Sequence, residues 1–234
     1  MNAKIHVNNR YFLLLDLKNF FPSTSDYYVY GFFRKKLNMA SDIAKICTLL
    51  TTESLPEEPF GKRHLPQGYA TSPYLSFLSY FDMYTQIEDI ARRKNINFSC
   101  YYDDLTFSSE NFIAKDIKKE IKNVVEKYGL QINSNKTRLY IKKRKGLKVT
   151  GTIIHQNQLK APNSLQHQMD KNFKKLINLY QLNPSDTKNL ISLCNKTHGC
   201  MTAIKSIERD REFPYISKMI KEIRNFANNQ ILQK

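Results

Sequence analysis

Tyr11-Phe12-Leu13-Leu14-Leu15 is an unbroken apolar run, and a run of that length predicts a short strand buried on both faces. It ends at Asp16, where a carboxylate would emerge from the end of a sheet. Pro22-Ser23 breaks the chain, and a helix is expected from about Asp26 to Leu37. Pro56, Pro59, Gly61, Pro66 and Gly68 mark residues 51–68 as a loop. Ser72-Pro73 is a good helix start, and Leu75, Leu78, Asp82, Gln86 and Ile90 follow at near-helical spacing. One long helix to about Lys94 is therefore expected. Phe98–Tyr102 and Leu105–Ser108 read as two strands with Asp103-Asp104 at the turn between them. Ile113, Ile117, Ile121, Val125 and Tyr128 mark an amphipathic helix stopped by Gly129. Strands are expected near Thr137–Ile141 and Leu147–His155, separated by Lys142-Lys143-Arg144-Lys145-Gly146. Beyond Pro162 the pattern is helical, near 164–181, 185–198 and 213–230. The expected class is α+β, with a sheet-bearing part over 1–160 and a helical part over 161–234.

Composition narrows the classes of function. Of 234 residues, 41% are apolar and 12% aromatic, with only 7 Gly and 8 Pro, which excludes a disordered or collagenous chain. No apolar run approaches the ~20 residues of a membrane span, and Met1–Asn9 lacks the apolar stretch of a signal peptide. No membrane partner is expected. Cys47, Cys100, Cys194 and Cys200 form no Cys-x-x-Cys pair, so a reducing cytoplasm is the expected location. The 37 Lys and Arg against 21 Asp and Glu leave a formal charge of +16, which points to a polyanion such as nucleic acid. Between Ala114 and Lys148 there are 12 Lys and Arg against 3 Asp and Glu, so the excess is concentrated there. Phosphate contacts from such a stretch would make binding salt-sensitive. The five histidines show no metal-ligand spacing.

The candidate chemistry lies in three carboxylates. Asp103 and Asp104 follow Asp16 by 87 and 88 residues. Adjacent carboxylates repel unless a cation sits between them. If the hairpin lies beside the first strand, the three converge into a hard-oxygen site suited to two magnesium ions and in-line phosphoryl transfer. Asp-Asp is also ordinary turn chemistry. The surrounding residues decide in favour of the site. Leu15-Asp16-Leu17-Lys18-Asn19-Phe20-Phe21-Pro22-Ser23, then Leu65-Pro66-Gln67-Gly68-Tyr69-Ala70-Thr71-Ser72-Pro73, then Tyr101-Tyr102-Asp103-Asp104 resemble, in order and spacing, a reverse transcriptase palm. Gly31-Phe32-Phe33, Asp103-Asp104-Leu105-Thr106-Phe107-Ser108, Gly129-Leu130-Gln131-Ile132-Asn133 with Lys136-Thr137, and Val149-Thr150-Gly151 narrow the likeness to bacterial reverse transcriptases of the retron type.

That resemblance implies a palm, an antiparallel sheet with packed helices, followed by a helical thumb. It implies an RNA-directed DNA polymerase using two Mg2+ ions, with Asp16, Leu17, Asp103 and Asp104 at the metals. Phe21 would exclude a 2′-hydroxyl, although a plain core Phe suits the position nearly as well. Gln67 and Gly68 would line the nucleotide, and Lys136 would protonate the leaving pyrophosphate. Tyr102, bulkier than the small residues common there, would touch the primer end. Val149, Thr150 and Gly151 would contact RNA. Implied partners are a structured non-coding RNA serving as template and primer, its RNA–DNA duplex, deoxynucleotides and an effector protein in antiphage defence. Alternatives are a defence enzyme that is template-independent or protein-primed, and an inactive RNA-binding remnant. Only 15 residues precede Asp16, so the N-terminal fingers of the family, with their Asn-Ala-x-x-His segment, are expected to be missing. A shortened chain is the preferred explanation, ahead of a second chain or a degenerate relative.

Overall fold

In the computed structural model, which describes residues 2–54, 61–142 and 146–232, the apolar run forms β1 (Tyr11–Asp16) in the interior of a four-stranded sheet. Contacts along the chain divide it into two compact units, 1–143 and 144–234. The three short strands over 147–160, expected with the first part, belong by contacts to the second.

In the first unit β1 pairs antiparallel with β5 (Asp104–Ser109) and with β6 (Arg138–Ile141), and β4 (Asn97–Tyr101) completes the order β4-β5-β1-β6. Alternation puts Leu13, Leu15, Leu105 and Phe107 on one face, where all four are buried. That face meets Met83 and Ile87 of α5 (Phe81–Arg93) and Ile117 and Ile121 of α6 (Lys115–Lys127) in one core. At about 1.5–3 kcal/mol for each large side chain, this burial is the main term holding the site in place.

Around this core the helices depart from expectation in places. Phe20–Ser23 makes a single turn, α1, and Asp26–Gly31 forms α2, after which Phe32–Lys36 winds as a π-helix. Ser41–Thr51 is a further helix, α3, that the sequence pattern did not anticipate. Glu53–Ser54 (β2) and Arg63–His64 (β3) pair within the expected loop, whose Pro56 and Pro59 lie outside the described residues. The single long helix expected after Ser72-Pro73 is two: α4 (Ser72–Ser79) and α5, interrupted at Tyr80. Tyr80 has φ −108° and ψ 20°, and its fully buried ring sits 4.7 Å from that of Tyr28 and 5.9 Å from that of Phe20.

The second unit begins with β7 (Leu147–Val149), β8 (Thr152–His155) and β9 (Gln158–Lys160). The expected single strand over 147–155 is in fact a hairpin. Thr150 and Gly151, at φ 40° and 81°, make its two-residue turn, and Gln156-Asn157, at 45° and 58°, makes the next. Two left-handed residues in succession match the twist of paired strands, which is why such turns favour Gly and Asn. Helices α7 (Asn163–Leu182), α8 (Thr187–Ile207) and α9 (Pro214–Leu232) follow and share a core that includes Leu176, Cys194, Ile204 and Ile223. Among the described residues no helix is long and apolar enough to cross a membrane.

The other face of the first sheet carries a polar network. The short 3-10 turn at Asn2–His6 buries His6 completely. Its Nδ1 lies 2.6 Å from Ser108 Oγ and its Nε2 2.7 Å from Ser99 Oγ, while Asn9 Nδ2 donates to Ser108 Oγ at 2.6 Å. Neutral imidazole has one donor and one acceptor and satisfies both hydroxyls; imidazolium would have two donors and a charge without water. Burial accordingly pushes the His6 pKa down from 6.5 to about 4. Because the folded value lies below the unfolded one, the stability from neutral His6 is complete above pH 6.5 and is lost as pH falls towards 4. At 1.36 kcal/mol per unit the loss amounts to roughly 3–3.5 kcal/mol when complete. Urea midpoints should therefore fall more steeply between pH 6.5 and 4.5 for the wild type than for His6→Gln. Parallel curves for the two proteins would show that His6 does not titrate in this way.

Candidate active site

The register of β1 and β5 places Asp16 directly opposite Asp104. Both side chains fall on the sheet face opposite Leu15 and Leu105. Tyr101 pairs with Asp104, so Tyr102 and Asp103 form the two-residue tip of the β4–β5 hairpin. Tyr102 adopts φ 54°, an unfavourable conformation for a bulky residue, and two contacts hold the tip. The buried Tyr84 hydroxyl donates to the Tyr102 carbonyl at 2.9 Å, and the Leu17 N–H donates to the Asp103 carbonyl at 3.0 Å. Burial raises the Tyr84 pKa, which keeps that donor protonated.

Across β1 a second segment closes on the same point. Leu17 bridges Ile132, the Lys18 N–H donates to the Gln131 carbonyl at 2.8 Å, and the Asn133 N–H donates to the Asp16 carbonyl at 2.8 Å. Asp16 and Leu17 therefore lie between the hairpin tip and residues 131–133. The Asp16 carboxylate is buried and accepts from Lys136 Nζ on Oδ1 at 2.8 Å and from Asn133 Nδ2 on Oδ2 at 3.2 Å.

The electrostatics follow from this crowding. Partial burial and then the nearby Asp16 charge hold the Asp103 carboxyl above the usual range, against the opposing pull of Lys136. Asp104 is raised by burial, by Asp103 and by Asp16. The hydrogen bond to Asp16 in turn raises Lys136, so it remains an ammonium. The donor set, carboxylate oxygens that repel one another, suits a hard divalent cation in kind. Yet among the described residues no group of three or more His, Cys, Asp or Glu side chains is arranged to hold a metal ion. The positive charge on Asp16 is the Lys136 ammonium.

Other anticipated residues are placed as follows. Phe21 lies on α1 and is half-buried, its ring 5.8 Å from that of the buried Phe20. Gln67 and Gly68 are exposed in the turn before α4, Gly68 at φ 93°, and Ser72 Oγ fixes that turn by donating to the Pro66 carbonyl at 2.7 Å. Tyr102 lines an apolar cleft with Tyr74, Phe77, Leu78, Cys100 and Tyr101. Val149 is 1% exposed, so within Val149-Thr150-Gly151 only the two turn residues are available for contact. The triplet belongs to the second unit and the carboxylates to the first. Of the basic run at 142–145, residues 143–145 lie outside the described residues. Lys142 Nζ donates to the Val7 carbonyl at 2.9 Å, and burial lowers its pKa, so it is structural rather than a free surface charge.

Sequence reasoning missed Tyr84 and Asn133. Tyr84 stands four residues after Tyr80 and reads as core. Asn133 lay within a recognised motif, but its partner is 117 residues away.

Comparison with known proteins bears on family and fold. Residues 1–160 match the family model described as reverse transcriptase (RNA-dependent DNA polymerase). The retron Ec86 reverse transcriptase of Escherichia coli is 31% identical over 167 residues, covering 68% of this chain and 47% of that protein. The retron Mx65 reverse transcriptase of Myxococcus xanthus is 32% identical over 165 residues, covering 65% and 38%. This chain thus spans less than half the length of either relative. In fold it resembles apo telomerase from Candida tropicalis, with a TM-score of 0.51 and 15% identity over 93% of this chain and 47% of that one. Telomerase from Candida albicans, solved with a fragment of telomeric RNA, gives 0.50 and 14% over 97% and 46%. With its palm sheet, its paired aspartates and a family match over 1–160, the chain belongs to the reverse transcriptase family, and the curated relatives it resembles are retron enzymes.

Proposed function

We propose that this chain is an RNA-directed DNA polymerase of retron type, adding deoxynucleotides to a primer hydroxyl on an RNA template. The observation that carries the reading is the cross-strand pairing of Asp16 with Asp104, with Asp103 at the adjoining hairpin tip. Asp16 and Asp103 would be the principal ligands of magnesium, Asp104 would assist, and Leu17 would lie beside them. The chemistry that two magnesium ions supply when bound is activation of the attacking hydroxyl and neutralisation of the leaving pyrophosphate.

The chain's own residues account for the rest. Lys136 keeps its proton and stands beside the carboxylates, which suits protonation of pyrophosphate. Phe21, half-buried against Phe20, is stiffly supported, as a side chain that excludes a 2′-hydroxyl must be. Gln67 and Gly68 offer an exposed turn to a nucleotide, and Tyr102 an aromatic ring to the primer end. Thr150 and Gly151 present a hairpin tip to RNA. The charge of +16 favours an RNA template and an RNA–DNA duplex. From the likeness to retron enzymes we further infer a dedicated structured RNA, an effector protein, a cytoplasmic location and a role in antiphage defence.

Two measurements test this reading. With its neighbouring transcript, magnesium and labelled deoxynucleotides, the protein should incorporate label. An Asp103→Ala, Asp104→Ala double variant should lose about a thousandfold or more, as several kcal/mol of lost charge stabilisation implies. Incorporation undiminished in the variant would remove the carboxylates from the chemistry. Separately, Phe21→Val should relax discrimination against ribonucleotides by about 10–100-fold, a steric exclusion of ordinary size. Unchanged discrimination would leave Phe21 as a packing residue.

A further inference from the structure

Both carboxylate oxygens of Asp16 are held by one turn of the chain more than a hundred residues away. Asn133 Nδ2 donates to Oδ2 at 3.2 Å and Lys136 Nζ to Oδ1 at 2.8 Å. Asn133 also builds the turn that carries Lys136. Its Oδ1 accepts the Asn135 N–H at 3.1 Å, and its carbonyl accepts the Lys136 N–H at 3.2 Å and the Thr137 hydroxyl at 2.9 Å. Its own N–H is fixed on the Asp16 carbonyl at 2.8 Å.

The two donors are not equivalent. Asn133 is half-buried and anchored through both main chain and side chain, and its amide orients a carboxylate without neutralising it. Lys136 has a side chain that is 64% exposed, on a flexible stem, and carries the full charge. A divalent cation would need the charge that Lys136 satisfies, but it could leave the amide in place.

We propose that Asn133 is the positioning residue of Asp16, holding Oδ2 throughout, while Lys136 is a removable counter-ion that yields Oδ1 to a divalent cation. The inference rests on the reading of Asp16, Asp103 and Asp104 as a cation site. It reconciles that reading with carboxylates that are not drawn together as a ligating cluster: the ammonium occupies one of the oxygens a cation would use.

The test is manganese binding by the full chain without nucleotide, followed by the electron paramagnetic resonance signal of free Mn2+, with thermal unfolding as the check on folding. Asn133→Ala should bind Mn2+ about 10–100-fold more weakly than wild type, the usual loss when a residue orienting a ligand is removed. Asn133→Ser keeps a side-chain oxygen for the turn but is too short to reach Oδ2. It should fold and show the same loss, which covers the case of an Asn133→Ala chain that fails to fold. Lys136→Ala should bind Mn2+ at least as tightly as wild type. Wild-type affinity in a folded Asn133→Ser protein would overturn the positioning role. A loss in Lys136→Ala as large as that in Asn133→Ser would overturn the counter-ion role. A wild-type chain that binds no manganese would instead overturn the cation site itself, and this inference with it.

Discussion

The antiparallel pairing of β1 with β5 is the interaction on which everything else at the site depends. It is a main-chain ladder, so it sets the register of every residue along it, and a slip of one position would turn Asp16 and Asp104 to opposite faces. The register is kept from slipping by what the ladder carries on its other face. A slip of β1 by one residue would take Leu13 and Leu15 out of the core, and a slip of β5 would take out Leu105 and Phe107. The apolar core and the carboxylate site are thus two faces of a single constraint.

Lateral ties then refine what the ladder sets. From one side Tyr84 and the Leu17 amide hold a hairpin tip whose Tyr102 backbone is left-handed. On the other, residues 131–133 pair with the extension of β1 and bring Asn133 and Lys136 to the carboxylate. A fixed dipole beside a shielded carboxylate, here the Asn133 amide, acts more strongly than the same group in water and needs no rearrangement to act. Such preorganisation has a cost: Asp103 and Asp104 are destabilised as anions by burial first and then by neighbouring carboxylates, Asp16 beside Asp103 and both Asp103 and Asp16 beside Asp104.

Much of this was legible in the sequence because the signals were local. An unbroken apolar run ending in Asp16, a double aspartate between strand-like segments and Gly129 at a helix end each act within a few residues. The order of three motifs then linked distant segments that no periodicity could. What stayed hidden depended on remote partners. His6 was one unremarkable histidine until Ser99 and Ser108, far along the chain, enclosed it. Tyr80 lay inside the expected long helix with nothing local to mark it, and its ring packs on Tyr28 and Phe20 where that helix is interrupted. Thr150 hid a turn, since a β-branched residue argues for continuing the strand rather than for a left-handed corner. Asn133 lay inside a recognised motif, but no pattern shows which oxygen an amide will meet.

The strand order has a consequence for how the chain comes to be made. In β4-β5-β1-β6 the earliest strand is an interior one, and its two neighbours begin at residues 104 and 138. A ribosome moving at about 5–20 residues per second would leave Tyr11–Leu15 unpaired for several seconds. Through that interval the chain displays an apolar, edge-competent strand with nothing to pair with, the kind of segment that invites association with other chains. The strand that ends at Asp16 is therefore also the one that depends most on protection during synthesis.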